Sequence, residues 1–213
     1  MAGRLVDDGL WAVFESVLPK LREAVKVFGM REPFSIGALT ISPLPLPHDA
    51  AQVALVVEGG GRRAAIVTDL GEVPPGLVEH LRGCQVVLME SNHDPEMLRL
   101  GPYPGFLKRR IGSARGHLSN AQAHALLRAL PAETHTVVLM HLSETNNRPE
   151  LAREAASDAL GGRRVRLHVA APRETLVLDA AAEPPAAVTG RVGEQMALFA
   201  GEGEGRRRAV RHA

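Results

Sequence analysis

Apolar residues in this chain fall into short blocks whose spacing changes along its length. Over residues 8–27, Leu10, Val13, Phe14, Val17, Leu21 and Val25 recur near helical spacing, which predicts a helix kinked or broken at Pro19. Residues 39–46 alternate apolar with small residues or Pro, as a strand that turns into His48. Residues 52–57 and 63–68 read as two strands joined through Gly59-Gly60-Gly61, a hairpin signal. Strands and helices then alternate. Helices are predicted at 77–81, 95–100, 119–130 and 149–160, the third with Ser or Asn at its start and the last stopped by Gly161-Gly162. Buried strands are predicted at 85–89, 136–140 and 165–169, with 175–178 a candidate closing strand. This order argues for an α/β layered domain over 1–180. From Ala181 the composition shifts to Ala, Pro, Gly, Glu and Arg, which predicts a disordered tail over 181–213 and no second domain.

Composition narrows this picture. A chain of 213 residues, 45% hydrophobic and 23% charged, fits one soluble globular domain with a tail. Aromatic residues make up only 3%, so Leu, Val, Ala and Ile must build the core. A formal charge of +1 is too small for nucleic-acid binding by the whole surface. Cys84 is the single cysteine, which excludes an intramolecular disulfide and a cysteine-rich zinc site; any metal must use His and carboxylates. The first ten residues carry Asp7 and Asp8 and no apolar signal segment, and no apolar run is long enough to span a bilayer. The cytoplasm is the expected location, with no membrane partner.

Candidate chemistry comes from residues just beyond the predicted strands. His48, Asp69 and His141 all lie there, and polar residues at strand ends of an α/β sheet tend to converge on one rim. His and Asp suit zinc or manganese in a hydrolytic centre. Any one of these residues alone reads more simply as an ordinary core or surface residue.

The surrounding motifs change that weighting. His48-Asp49-Ala50 and Thr68-Asp69-Leu70-Gly71 are followed by Met89-Glu90-Ser91-Asn92-His93-Asp94 and Gly101-Pro102-Tyr103-Pro104. Leu107-Lys108, Arg110-Ile111, Gly116-His117-Leu118-Ser119-Asn120 and His141-Leu142-Ser143-Glu144-Thr145-Asn146-Asn147 complete the set. Together they resemble the YycJ/WalJ branch of the metallo-β-lactamase-fold hydrolases over roughly residues 34–178. The resemblance implies a four-layer αββα sandwich, of which this chain holds mainly the C-terminal half. It implies His48 as a ligand of one metal, Asp69 as a bridge between two divalent metals (Zn or Mn), and His141 as a ligand of the second. His117 resembles the catalytic histidine of the related tRNA-maturing ribonuclease Z, which donates a proton to the leaving oxygen or holds a phosphate, and Glu90 resembles the glutamate that supports it. Asn92, His93 and Asp94 then stand behind the ligands, or Asp94 simply caps the helix that starts at Pro95.

Three further features have two readings each. Lys108, Arg109 and Arg110, near Arg115, would suit a phosphodiester such as DNA, or are a solvated helix face. Tyr103 offers a stacking surface for a base, or packs between its Gly and Pro neighbours. In the tail, Gln195-Met196-Ala197-Leu198-Phe199 resembles the peptide by which bacterial repair and replication proteins bind the sliding clamp, or is a chance match; Arg206-Arg207-Arg208 follows it.

The cluster that should precede these motifs, His-x-His-x-Asp-His, is not found, and no His occurs before His48. The remaining ligands give each metal about two protein donors, below the three usual for a catalytic zinc, so weak or no metal binding by this chain is expected. A misplaced start or fragment is the foremost explanation, beside a decayed gene and a half-domain that pairs with another chain. An apolar sheet face would be left without its covering partner. The expected function is a metal-dependent phosphodiesterase or DNA exonuclease, with activity of this chain alone in doubt. The alternatives are a hydrolase of small esters, thioesters or lactones, and a non-catalytic clamp-binding adaptor.

Overall fold

A computed structural model describes residues 28–171 and 175–178. The predicted helix at 8–27 and the tail, with its Gln195, Met196, Leu198 and Phe199 peptide, lie outside the described residues.

Seven strands form one sheet in sequence order: β1 (Phe34–Ile36), β2 (Leu39–Leu46), β3 (Gln52–Gly59), β4 (Arg62–Val67), β5 (Val86–Glu90), β6 (Thr136–Met140) and β7 (Arg166–Val169). Strands β1 to β4 are an antiparallel meander. Strands β4 to β7 are parallel. The β3–β4 hairpin closes on Gly60 and Gly61, with φ of 57° and 72°; two successive positive φ values are the geometry of a two-residue hairpin turn, open to glycine without strain. Strands β5 and β6 read as nearly continuous apolar runs and are buried along most of their length.

The helices are α1 (Leu77–His80), α2 (Pro95–Leu100), α3 (Gly105–Ile111), α4 (Asn120–Ala129) and α5 (Pro149–Leu160). Ser119 starts α4 with a reciprocal capping box to Gln122. Pro149 opens α5 and Gly161 closes it. Ala123, Leu126 and Leu127 of α4 and Ala152, Ala156 and Ala159 of α5 pack against Val56, Ala65, Val87, Met89, Val137 and Leu139. Since side chains alternate along a strand, these strand residues share one face of the sheet. The opposite face carries Ile36, Leu39, Leu55, Ile66 and Leu88, and among them Ile36, Leu39 and Ile66 are exposed. The described residues thus give one sheet and one helical layer, the expected half of a four-layer sandwich, with an apolar face opposite the helices.

Two elements depart from the pattern read in sequence. Helix α3 forms where the only sign of a helix in sequence is the reading of Lys108, Arg109 and Arg110 as a solvated helix face; its seven residues, bracketed by Pro104 and Gly112, offer too few apolar positions to show a period. Strand β1 is three residues long, below the length at which alternation is legible. Residues 175–178 form no strand.

Strand direction places the chemistry. With β2 parallel in direction to β4, and β4, β5 and β6 parallel to one another, the chain leaves all four at the same rim. His48 follows β2, Asp69 follows β4, Glu90 ends β5 and His141 follows β6.

Candidate metal centre

Asp69 and His141 are the two non-glycine residues with positive φ among those described, at 59° and 57°. Asp and His tolerate this left-handed backbone better than most residues, yet it still costs about 1 kcal/mol or more at each. Asp69 follows β4 after Thr68 and His141 directly follows β6, so both bends lie at the rim where these strands end.

Asp69, Glu90, His117 and His141 converge there, and their ligand-type atoms lie within 4.8 Å of one another. Glu90 is the hub and is fully buried. Its Oε2 accepts from the Asp69 backbone N–H at 2.7 Å, and its Oε1 from the Leu118 N–H at 2.6 Å. The same Oε2 faces His141 Nδ1 at 3.0 Å and His117 Nδ1 at 3.3 Å. Burial pushes the Glu90 carboxyl up, but hydrogen bonds from His117 and His141, backed by their charge, outweigh it and hold it at about 2. The hydrogen bond to Glu90 raises the His141 imidazole against the opposing effect of burial.

Sequence reasoning pairs Glu90 with His117 alone; the structure adds His141. A carboxylate on Nδ1 fixes the ring and leaves Nε2 as the ligand atom. His141 Nε2 stands 3.7 Å from Asp69 Oδ1. Around a tetrahedral ion with bonds of about 2.0 Å, neighbouring ligand atoms are roughly 3.3 Å apart. The donor set and its spacing therefore fit a divalent cation at Asp69 and His141.

His48 lies at the other end of the histidine row, outside the four-residue group. The His117 ring sits between the rings of His48 and His141, with centroids 5.0 Å from each. His48 Nδ1 donates to the Gly116 carbonyl at 2.9 Å, and its Nε2 faces Asp49 Oδ1 at 3.1 Å. Asp49, which carries no sequence-based assignment, also accepts from Arg110 Nε at 2.6 Å, and this hydrogen bond holds its carboxyl below the usual range. Arg115 donates to the His48 carbonyl. The signal available in sequence was adjacency alone: Asp49 follows a candidate ligand, but its partner is 61 positions away.

The basic cluster is divided. Arg110 borders the cleft beside the histidines, Lys108 donates to the Arg99 carbonyl at 2.8 Å, and Arg109 is exposed on α3. The 92–94 segment is divided too. Asn92 Nδ2 donates to the His141 carbonyl at 2.9 Å and so holds that turn. Asp94 is the cap of α2, accepting from Glu96 and Met97. The His93 ring is buried with Nδ1 unpartnered, and burial lowers its pKa.

The rim loops are tied by a buried polar network. Ser91 Oγ donates to Asn120 Oδ1, Asn120 and Asn147 exchange side-chain hydrogen bonds, and Asn147 Nδ2 donates to the Ser91 and Asn92 carbonyls. A satisfied network of this kind fixes one arrangement of the β5 exit, the α4 start and the loop after β6. Gly116 completes the frame: a Cβ there would lie 2.1 Å from the Ile111 carbonyl oxygen and 2.3 Å from that of Arg110. Since those are backbone atoms, Gly116→Ala is expected to destabilise the chain by about 2 kcal/mol, read as a lower urea midpoint. An unchanged midpoint would contradict this packing.

The ionised Glu90 and protonated His141 also set a pH window. Glu90, depressed from 4.5, contributes stability above that value and loses it as pH falls toward about 2. His141, raised from 6.5, contributes stability below that value and loses it as pH rises through its higher folded value. The metal-free chain is expected to be most stable between these limits, and urea melts across pH should lose the alkaline fall in His141→Asn.

Comparisons with known proteins place the family and the fold. Residues 5–142 match the β-lactamase superfamily domain. The chain is 34% identical over 157 residues to the exodeoxyribonuclease YycJ of Bacillus anthracis, covering 72% of this chain and 60% of that protein. It is 37% identical over 154 residues to the exodeoxyribonuclease WalJ of Streptococcus pneumoniae D39, covering 68% and 56%. The chain thus spans less than two thirds of the length of these curated relatives. Among solved structures it is similar to the metallo-β-lactamase fold protein YhfI of Bacillus subtilis, with TM-score 0.53, 15% identity and coverage of 73% and 60%. Zn2+-bound PqqB of Methylobacterium extorquens gives TM-score 0.51, 19% identity and coverage of 81% and 64%.

Proposed function

The chain belongs to the β-lactamase superfamily domain family, and from that premise we propose that it is the downstream part of a metal-dependent phosphodiesterase that degrades DNA from an end. The observation that carries this reading is the convergence of Asp69, Glu90, His117 and His141 beside a cleft bordered by Arg110. The names of the curated relatives, both exodeoxyribonucleases, support DNA as the substrate.

Asp69, His141 and His48 would hold the divalent ions, Zn2+ or Mn2+. Such ions supply Lewis-acid charge and make hydroxide accessible at neutral pH. The chain's own residues do the rest. Arg110, held in place by Asp49, offers its remaining N–H groups to a phosphodiester oxygen. Glu90 holds His117 through Nδ1, which leaves Nε2 to give a proton to the leaving 3′ or 5′ oxygen. Asn92, Glu90 and the 91–120–147 network keep these groups in place without contacting substrate.

The test is a nuclease assay with Mn2+ on end-labelled duplex DNA, using a version extended upstream to carry a His-x-His-x-Asp-His segment. Progressive shortening from one end, lost in Asp69→Ala, is the expected result. Hydrolysis of small esters or lactones with intact DNA would overturn it in favour of that other chemistry. Within the same proposal, Gln195, Met196, Leu198 and Phe199 tether the protein to the sliding clamp. Capture by clamp-coated resin should then be abolished when Leu198 and Phe199 are changed to Ala.

A further inference from the structure

The cleft at the metal centre has two unlike halves. One is polar, made by His48, His117, His141 and the Arg110–Asp49 ion pair. The other is an apolar wall of Tyr103, Leu107, Ile111 and Leu142, and the whole encloses about 370 Å³. All four wall residues are partly exposed although the chain has only this one tyrosine and few aromatics to spare. None of them is used by the chemistry described above.

The wall is built rigidly. Leu107 and Ile111 are four apart on α3, so they stack along one side of the helix, with Arg110 beside them. Tyr103 is bracketed by Pro102 and Pro104, whose rings limit the backbone on both sides. The result is an apolar surface about one helical turn long, ending at the Arg110–Asp49 ion pair and a row of histidines. Its complement is a ligand with an anionic head and a flat, largely apolar body.

We propose that this wall is a nucleobase slot: it holds the base of the terminal nucleotide while the phosphate lies against Arg110 and the histidines. The inference rests on the phosphodiesterase reading and deepens it, since it makes Tyr103, Leu107 and Ile111 the residues that select a nucleotide over other phosphate esters. Stacking on an aromatic ring tolerates any base, so the slot recognises a nucleotide end without reading sequence. Phe106, on the same helix but 67% exposed and outside the cleft, has no part in it.

Because Tyr103 is the only tyrosine, the full chain labelled with 13C-tyrosine gives a single ring to follow by NMR. Deoxyadenosine 5′-monophosphate, inorganic phosphate and n-butyl phosphate are titrated in turn, each with Zn2+ present. The nucleotide is expected to bind roughly tenfold more tightly than inorganic phosphate, the factor one stacked base supplies, and to move the Tyr103 ring signals upfield. Tyr103→Ala should erase that margin, whereas Tyr103→Phe and Phe106→Ala should keep it. If Tyr103→Ala does not fold, the ring shift in the native chain and the Tyr103→Phe affinity still decide. Phosphate binding without a nucleotide margin overturns the slot and leaves the phosphodiesterase reading standing. Butyl phosphate binding as tightly as the nucleotide overturns the slot in favour of an acyl or alkyl group. Binding of neither phosphate nor nucleotide overturns the slot, while the phosphodiesterase reading is decided by the nuclease assay of the upstream-extended version.

Discussion

Glu90→Gln is expected to destabilise the chain by about 3 to 4 kcal/mol and to disorganise the centre even in the absence of metal. The glutamate lies at 0% exposure and takes four donors: the Asp69 and Leu118 backbone N–H groups and the Nδ1 atoms of His117 and His141. Gln keeps the shape but turns one acceptor oxygen into an NH2 group. Either orientation then sets N–H against N–H, opposite Leu118 or opposite Asp69 and both histidines. A buried donor without an acceptor forfeits its desolvation energy, about 1 to 3 kcal/mol for each group. The loss is read as a lower urea midpoint at pH 6, below the ordinary histidine value that Glu90 raises in His141, and it should shrink as the pH rises and His141 gives up its proton. A loss below about 1 kcal/mol would mean that the hub is solvated and that the histidines are held by something else.

The same residue shows why the centre was only partly legible in the sequence. Asp69, His141 and His48 could be read as rim residues because each follows an apolar block whose length and composition mark a strand, and parallel strands end at one edge. Glu90 directly follows the block read as a strand at 85–89 and becomes the last residue of β5, fully buried, a burial that its charge does not announce. Its link to His141 joins residues 51 positions apart on neighbouring strands, a contact set by register that no local spacing encodes. The Asp49–Arg110 ion pair is similar, since it depends on α3 lying over the start of the β2–β3 turn. Residues with a local function were the legible ones: Asp94 as a cap beside Pro95, Ser119 at a helix start, and Gly161 at a helix end are all decided within four residues of chain.

The fold follows the same division. Strands β2 to β7 and helices α1, α2, α4 and α5 carry enough periodic or contiguous apolar residues to announce themselves. Helix α3 does not, yet it supplies Arg110, Leu107 and Ile111 to the cleft. Its sequence is bracketed by Pro and Gly because it must turn sharply at both ends, and those breakers hide the helix between them. The basic cluster is consequently legible as charge but not as geometry. Only the fold decides that Arg110 borders the cleft, while Lys108 holds the Arg99 carbonyl.

Replacing His117 with Ala separates its two possible duties, because its Nδ1 stands near both Asp69 and Glu90, at 3.8 and 3.3 Å, as a metal ligand also would. As a proton donor, His117→Ala in the upstream-extended version should slow DNA hydrolysis by about 10²- to 10⁴-fold, the range for general acid catalysis, with bound metal unchanged. A nucleotide p-nitrophenyl ester leaves as a stable phenolate and needs no proton, so its hydrolysis should fall far less. A metal ligand gives the opposite result: metal content drops and both substrates slow together. The contrast between leaving groups therefore assigns the residue. The buried Glu90 on Nδ1 favours the first outcome, since that nitrogen is already engaged and only Nε2 remains for the substrate.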